Sequence, residues 1–452
     1  MWLATGISGT VCCSSREKGC ARRTGSSGVL PHFGVIERRL EINEPTMIAF
    51  APLYGADELA TRRLACAGGG IVQVYAIDDD EGPDAPRVSL ELTLTVDGAR
   101  EIHDLIWSDE TSSRELIVAS GPSVGSTATE DEKFHRIHVV PIESLVFPAN
   151  CLDAAHDLQA VGRSLEKHTS RVARLVVSHV YLASASCSGE CRVWQKRNDY
   201  TKKTRATLHS EGIADISIDR FFLHSVGMID LTIATWTLPD LMPALKIVAH
   251  LPKELVVASC LEHLERLAPS PVIKCGPQAG DPAEPTPSIA SEALPSQFER
   301  LTAVRRPQSR WAGSRGKEPS GAVYVAGVLK ETMPHAPFAG AGVLTEWLLG
   351  EKVLCQSVRI AHETPIVTLA YGPYDNGPLV TCDAYGEFCI WDITHRLECI
   401  QHIYLGIVGD VRQLRMNVAV EPQKGLYTIS GDSTLFVWRR DLRAVVLPVE
   451  RA

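Results

Sequence analysis

Five tryptophans close five similar strand-like segments, and their spacing restricts the fold more than anything else in the chain. Trp194 ends CRVW, Trp236 ends LTIATW, Trp347 follows GVLTE, Trp391 ends EFCIW and Trp438 ends LFVW. The steps are 42 residues from Trp194 to Trp236, 44 from Trp347 to Trp391 and 47 from Trp391 to Trp438. A period of that size is what one four-stranded unit of a radial repeat needs. A single sheet of this kind cannot bury both faces alone, so it requires like neighbours on either side.

The unit is clearest after His362, where TPIVTLAYG, LVTC, EFCIWDI and RLECIQHI read as four short strands of a meander, with DAYG as the turn between the second and third. The same template gives seven units along the chain. The second has only a weak fourth strand near residue 156, and the fifth starts at KELVVASC, breaks off and resumes at AVYVAG. Trp236 to Trp347 spans 111 residues, one unit plus an insert. Residues 261–320 have the composition of that insert, with nine prolines between Pro269 and Pro319. Such a stretch buries too little apolar surface to offset its ordering entropy, so a long disordered loop is expected there. A shorter insert, PSVGSTATEDEK, splits the second unit. The ring can close with residues 35–42, VIERRLEI, or with 444–450, AVVLPVE; either choice removes exposed sheet edges.

The pattern resembles the WD40-repeat family, on the strength of Trp391-Asp392 after EFCI, the equivalents Trp194 and Trp438, Ala361-His362 where the family has Gly-His, and the turn Gly431-Asp432-Ser433-Thr434-Leu435. The resemblance implies an all-β, seven-bladed β-propeller over roughly residues 35–452, with 261–320 as a loop inside its fifth blade. This chain departs from the family where Gln195 and Arg439 follow the tryptophan instead of Asp. The turn acid that pairs with the family's His is replaced by Ser188 in the third unit and Tyr385 in the sixth. Those two blades are therefore expected to lack the buried polar network and to rely on apolar packing.

Net charge is -9 with a pI near 5.9, which gives no general attraction to phosphate backbones or anionic membranes. No run of eighteen apolar residues occurs, so no membrane helix is expected. Thirteen cysteines without paired spacings and the absence of any Asn-X-Ser/Thr sequon point to a reducing compartment, the cytoplasm or the nucleus. Residues 1–34 read as a disordered tail or a targeting segment; their Arg- and Ser-rich start, with Glu17 the only acid up to residue 28, also suits organelle import.

Each motif with catalytic or metal-binding form has a plainer reading. Gly121-Pro122-Ser123-Val124-Gly125 matches a nucleophile elbow, but an elbow needs a helix after the Ser and STATEDEKFH is polar. A serine hydrolase using Ser123 is thus a remote alternative. Cys187 and Cys191 flank a tight turn without the second ligand pair that zinc requires. His135 and His138, three apart in a strand, point to opposite faces. Gly68-Gly69-Gly70 reads as a β-turn and Asp78-Asp79-Asp80-Glu81 as a solvated loop. No metal or cofactor is expected.

The function expected is a non-catalytic scaffold for protein–protein contacts, a propeller subunit of a multiprotein complex. Arg171, which precedes a first strand, and Tyr385 are the candidate contacts on one propeller face, because Arg and aromatic side chains dominate interface energetics. Arg305, Arg306, Arg310 and Trp311 form a candidate docking segment in the insert, suited to a peptide partner or to RNA held by charge and stacking. A non-catalytic subunit of an RNA-modifying or RNA-processing enzyme is the alternative that this segment supports.

Overall fold

A computed structural model describes residues 32–39, 47–50, 62–78, 87–96, 100–108, 115–123, 134–146, 155–267, 298–306, 321–330, 340–350, 353–371, 379–383, 385, 387–393, 397–404, 426–429 and 434–441. Among them the strands form seven sheets, laid down one after another along the chain as an all-β, WD40-like propeller. The third sheet shows the plan. Val172–Val177, Tyr181–Ser186, Glu190–Gln195 and Thr201–Thr207 run antiparallel in that order, joined by short turns. The fourth (Ile213–Ile218 to Met242–Val248), fifth (Phe298–Arg305 to Leu354–His362) and sixth (Ile366–Tyr371 to Glu398–Tyr404) repeat it.

The core lies between the sheets. Ile117 and Ile137 of the second sheet pack with Val172, Leu175 and Trp194 of the third. Ile233 and Val226 of the fourth share a cluster with Val304, Val343 and Trp347 of the fifth. The tryptophans sit in the third strand of their sheets, and the register to the fourth strand shifts beside Trp194, Trp236, Trp347 and Trp391. A bulge there bends the strand and gives the large indole room. The first sheet has the same shift beside Tyr75, whose hydroxyl donates to Gln73 at 2.6 Å. Tyr75 is thus the counterpart of Trp347, whose Nε1–H donates to Thr345, also two residues earlier, at 2.8 Å.

Closure uses the N-terminal candidate, shifted slightly. His32–Arg39 pairs antiparallel with Thr434–Asp441 over eight positions, which places the first described strand in the last sheet. The strand starts three residues before the expected boundary; residues 444–450 lie outside the described residues.

Two assignments from the sequence are corrected. KELVVASC is not the first strand of the fifth sheet but part of a helix, Lys253–Leu267. Its buried positions, Val256, Ser259, Cys260 and His263, follow helical rather than alternating spacing. Phe298–Arg305 is the first strand instead, so ordered structure occupies both ends of the range expected to be a loop. The helix packs on the outer strand Leu354–His362, where Ser259 Oγ accepts the Ile360 N–H at 2.7 Å. The segment near residue 156 is a strand, Ala155–Asp157, but it pairs in parallel with Arg87–Thr95 of the first sheet; Arg163–Ser164 completes the second.

Removing residues 1–40 takes away the closing strand and bares the edge of Thr434–Asp441. The truncated chain is expected to lose its monomeric peak on size exclusion and to aggregate, with a lower thermal midpoint by circular dichroism. A monomer with an unchanged midpoint would contradict this role for the strand.

Candidate interaction face

Each sheet has one end where the first strand begins and the second turns into the third. Buried histidines brace that end. In the fourth sheet His209 Nε2 meets Ser225 Oγ at 2.8 Å, Trp236 Nε1–H donates to the same oxygen at 2.8 Å, and His209 Nδ1 lies 3.0 Å from Asp230. Burial alone would raise the Asp230 carboxyl, but hydrogen bonds from His209 and Thr232 hold it at about 2.

The sixth sheet has this network in full and the third has part of it, contrary to the expectation that Ser188 and Tyr385 abolish it. In the sixth, His362 Nε2 meets Thr381 Oγ1 at 2.8 Å, Trp391 Nε1–H donates to that oxygen at 2.9 Å, and His362 Nδ1 lies 3.1 Å from Glu387. In the third, His168 Nε2 is 2.6 Å from Ser184 Oγ and Nδ1 is 3.2 Å from Glu190. The acid has moved two residues along, from the turn to the start of the third strand. The extra methylene of Glu covers the added reach, which is why a search for a turn Asp misses it.

Several turns at this end carry exposed side chains. Tyr385 is 59 % exposed, and its backbone N–H donates to Asp383 Oδ1 at 2.9 Å, as does that of Glu387 at 2.8 Å. Arg171 is half-buried at the same end of the third sheet, its carbonyl accepting the Cys187 N–H at 2.8 Å. Ile229, in the corresponding turn of the fourth sheet, is 63 % exposed and was not among the contacts expected from sequence. Its signal was the position one residue before Asp230 in the matching turn.

Arg305 and Arg306 are not part of a docking loop. Arg305 ion-pairs with Asp215, which also accepts the Val304 N–H at 3.0 Å and lies 3.3 Å from Arg174. One sheet away, Asp104 accepts the Leu175 N–H at 2.6 Å. Asp104, Arg174, Asp215 and Arg305 thus clasp the innermost strands of the second to fifth sheets. Burial lowers the Arg305 guanidinium to about 10 despite Asp215, and it stays charged at neutral pH. Arg306 is held by Asp219 at 3.2 Å and His224 at 3.0 Å. Arg310 and Trp311 lie outside the described residues.

The second sheet holds a histidine pair, His103 Nε2 and His135 Nδ1, 3.0 Å apart. They pack on Gly121, where a Cβ would come within 1.9 Å of His135 Nδ1. The next described strand after Ser123 is Arg136–Pro141, in the same sheet, so the strand–turn–helix frame of an elbow is not seen among the described residues. Burial first, and then nearby arginines, depress His135, His138 and His168 from 6.5 to about 4. The exposed Cys187 and buried Cys191 form no ligand cluster, and burial pushes the Cys191 thiol up. No helix among the described residues is long and apolar enough to cross a membrane.

No protein-family model matches the chain, and no curated protein matches it by sequence. Among solved structures it is similar to a chain in the crystal structure of a mitotic checkpoint complex, with a TM-score of 0.54 at 14% identity, covering 94% of this chain and 99% of that one. Identity that low shows a shared propeller fold.

Asp215→Asn leaves Arg174 and Arg305 uncompensated near the ring centre and is expected to cost about 3–5 kcal/mol in urea unfolding; a loss under ~1 kcal/mol would remove the clasp from the stability account. The three histidines titrate lower folded than unfolded, so the unfolded chain takes up protons first as pH falls. Their contribution is complete above 6.5 and is lost between 6.5 and about 4. Urea midpoints should fall across that window, and a flat profile would contradict the buried neutral imidazoles.

Proposed function

We propose that this chain is a non-catalytic scaffold, a WD40-type propeller subunit of a multiprotein complex, working in the cytoplasm or nucleus. The proposed docking face is the set of sheet ends carrying Arg171, Ile229 and Tyr385. One observation carries this reading: Ile229 and Tyr385 are exposed on turns whose backbones are fixed from beneath. Tyr385 rests on Asp383, and Ile229 lies beside Asp230 of the His209 network. A surface ordered before binding loses little conformational entropy on binding, so its aromatic and apolar contacts translate into affinity. The similarity to a chain from a multiprotein checkpoint complex supports the class of role and leaves this chain's partner open.

The RNA-processing alternative loses support with Arg305 and Arg306, which are engaged inside the ring. Likewise, the loop around Ser123 lies in a β-meander, a setting that supports a turn more than a nucleophile.

The test is affinity purification with mass spectrometry from native cells, comparing the wild-type chain with Arg171→Ala, Ile229→Ala and Tyr385→Ala. At least one substitution is expected to reduce recovery of a partner about tenfold, the effect of losing an anchor worth ~1.4 kcal/mol. Undiminished recovery in the triple variant would rule this face out.

A further inference from the structure

We propose that the outer rim of the third sheet is a docking surface for an acidic protein segment, separate from the turns that carry Arg171, Ile229 and Tyr385. Residues 163–207 hold ten basic residues against three acidic ones, which leaves 35 basic against 51 acidic residues in the rest of the chain. An acidic chain thus concentrates positive charge in one of its sheets.

The sheet's own acids do not neutralise this charge. Thr201–Thr207, the outer strand, carries Lys202, Lys203 and Arg205. Arg205 stands directly opposite Arg192 on the neighbouring strand. Like charges so placed repel, and Glu190 answers both, paired with Arg192 and, at 2.7 Å, with Arg205. Glu166 pairs with Arg192 at 3.3 Å and with Lys202. Asp199 pairs with Arg163. These pairs draw residues 163–166 alongside the outer strand and engage all three acids of the segment. Lys167, Arg197 and Lys203 are exposed, and none has a carboxylate within ion-pair distance among the described residues.

The class of partner follows from length and from what the surface lacks. The outer strand extends about 20 Å, which a short acidic segment fits. A nucleic acid of more than a few nucleotides would run past the strip onto a ring with an acidic surplus, whose charges act over the ~8 Å Debye length of physiological salt. Sequence-tolerant binding of single strands also needs exposed aromatic faces. Trp194 and Tyr200 are buried, and Lys167 lies over the ring of Phe134 at 5.2 Å. Carboxylates already serve as the counter-groups here, with Glu166 and Glu190 each joining two cations. A partner's Asp and Glu side chains would meet the remaining cations in the same way, through side chains and without adding a strand to the edge.

Fluorescence anisotropy of the full chain tests this with a labelled peptide of alternating Glu and Gly, about twelve residues long to span the strip. The wild type should bind it, more weakly as salt is raised. Lys167→Gln, Arg197→Gln and Lys203→Gln together should weaken binding about tenfold; these side chains hold no ion pair within the fold, so the variant stays folded. Lys246→Gln, at an exposed position in the matching strand of the fourth sheet, should leave binding unchanged. The variant with Arg171, Ile229 and Tyr385 all replaced by Ala should keep the peptide too, so the two surfaces are judged separately. Four results would each overturn the proposal: no binding by the wild type, equal binding by the triple Gln variant, loss of the peptide in the triple Ala variant, or tighter binding of a single-stranded oligouridine of the same charge.

Discussion

Each sheet of this ring can bury its two faces only against two neighbours, and that single requirement governs the rest of the molecule. Among the described residues the apolar clusters are shared between adjacent sheets. A gap anywhere would therefore leave two sheets half-solvated. The chain meets the requirement by spending its first described strand on its last sheet, so that the two ends of the sequence hold one another. The innermost strands are also joined by Asp104, Arg174, Asp215 and Arg305, which link four sheets through a backbone hydrogen bond from Leu175 to Asp104 and ion pairs of Asp215 with Arg174 and Arg305.

Much of this was legible in the tryptophan spacing, for a physical reason. An indole at a bulge in the third strand recurs in the third to sixth sheets, so its period reports those sheets directly. In the first sheet Tyr75 takes the place of the indole, while the third strand of the second, Arg136–Pro141, has no Trp or Tyr there, which is why the spacing alone located the first two sheets less sharply. The errors came where local sequence is ambiguous. KELVVASC is short, apolar and β-branched, and only the burial of Val256, Ser259, Cys260 and His263 separates a helix from a strand. Ala155–Asp157 was found as a strand but given to the wrong sheet, because a parallel pairing leaves no hairpin signature.

The site was harder to read than the fold. A fixed motif ties the acid to one turn position, whereas the network needs only a carboxylate within reach of Nδ1. Glu190 and Glu387 provide it from the start of a strand. Arg305 and Arg306 looked like insert residues because they stand beside a proline-rich stretch. Their partners, Asp215 and Asp219, are more than eighty residues earlier, and only the folded ring brings them together.

The parallel strand Ala155–Asp157 has a bearing on how the molecule meets its surroundings. It covers the outer edge of the first sheet, where Arg87–Thr95 would otherwise offer an open ladder. The helix Lys253–Leu267 shields the outer strand of the fifth sheet. Lys202, Lys203 and Arg205 line the edge of the third, and Pro243 interrupts the edge of the fourth. Four sheets thus use four different devices against the same hazard, strand-to-strand docking from outside. At these four sheets the outer edge is a poor template for another strand, so the hydrogen-bonding capacity of the rim is withheld from neighbours.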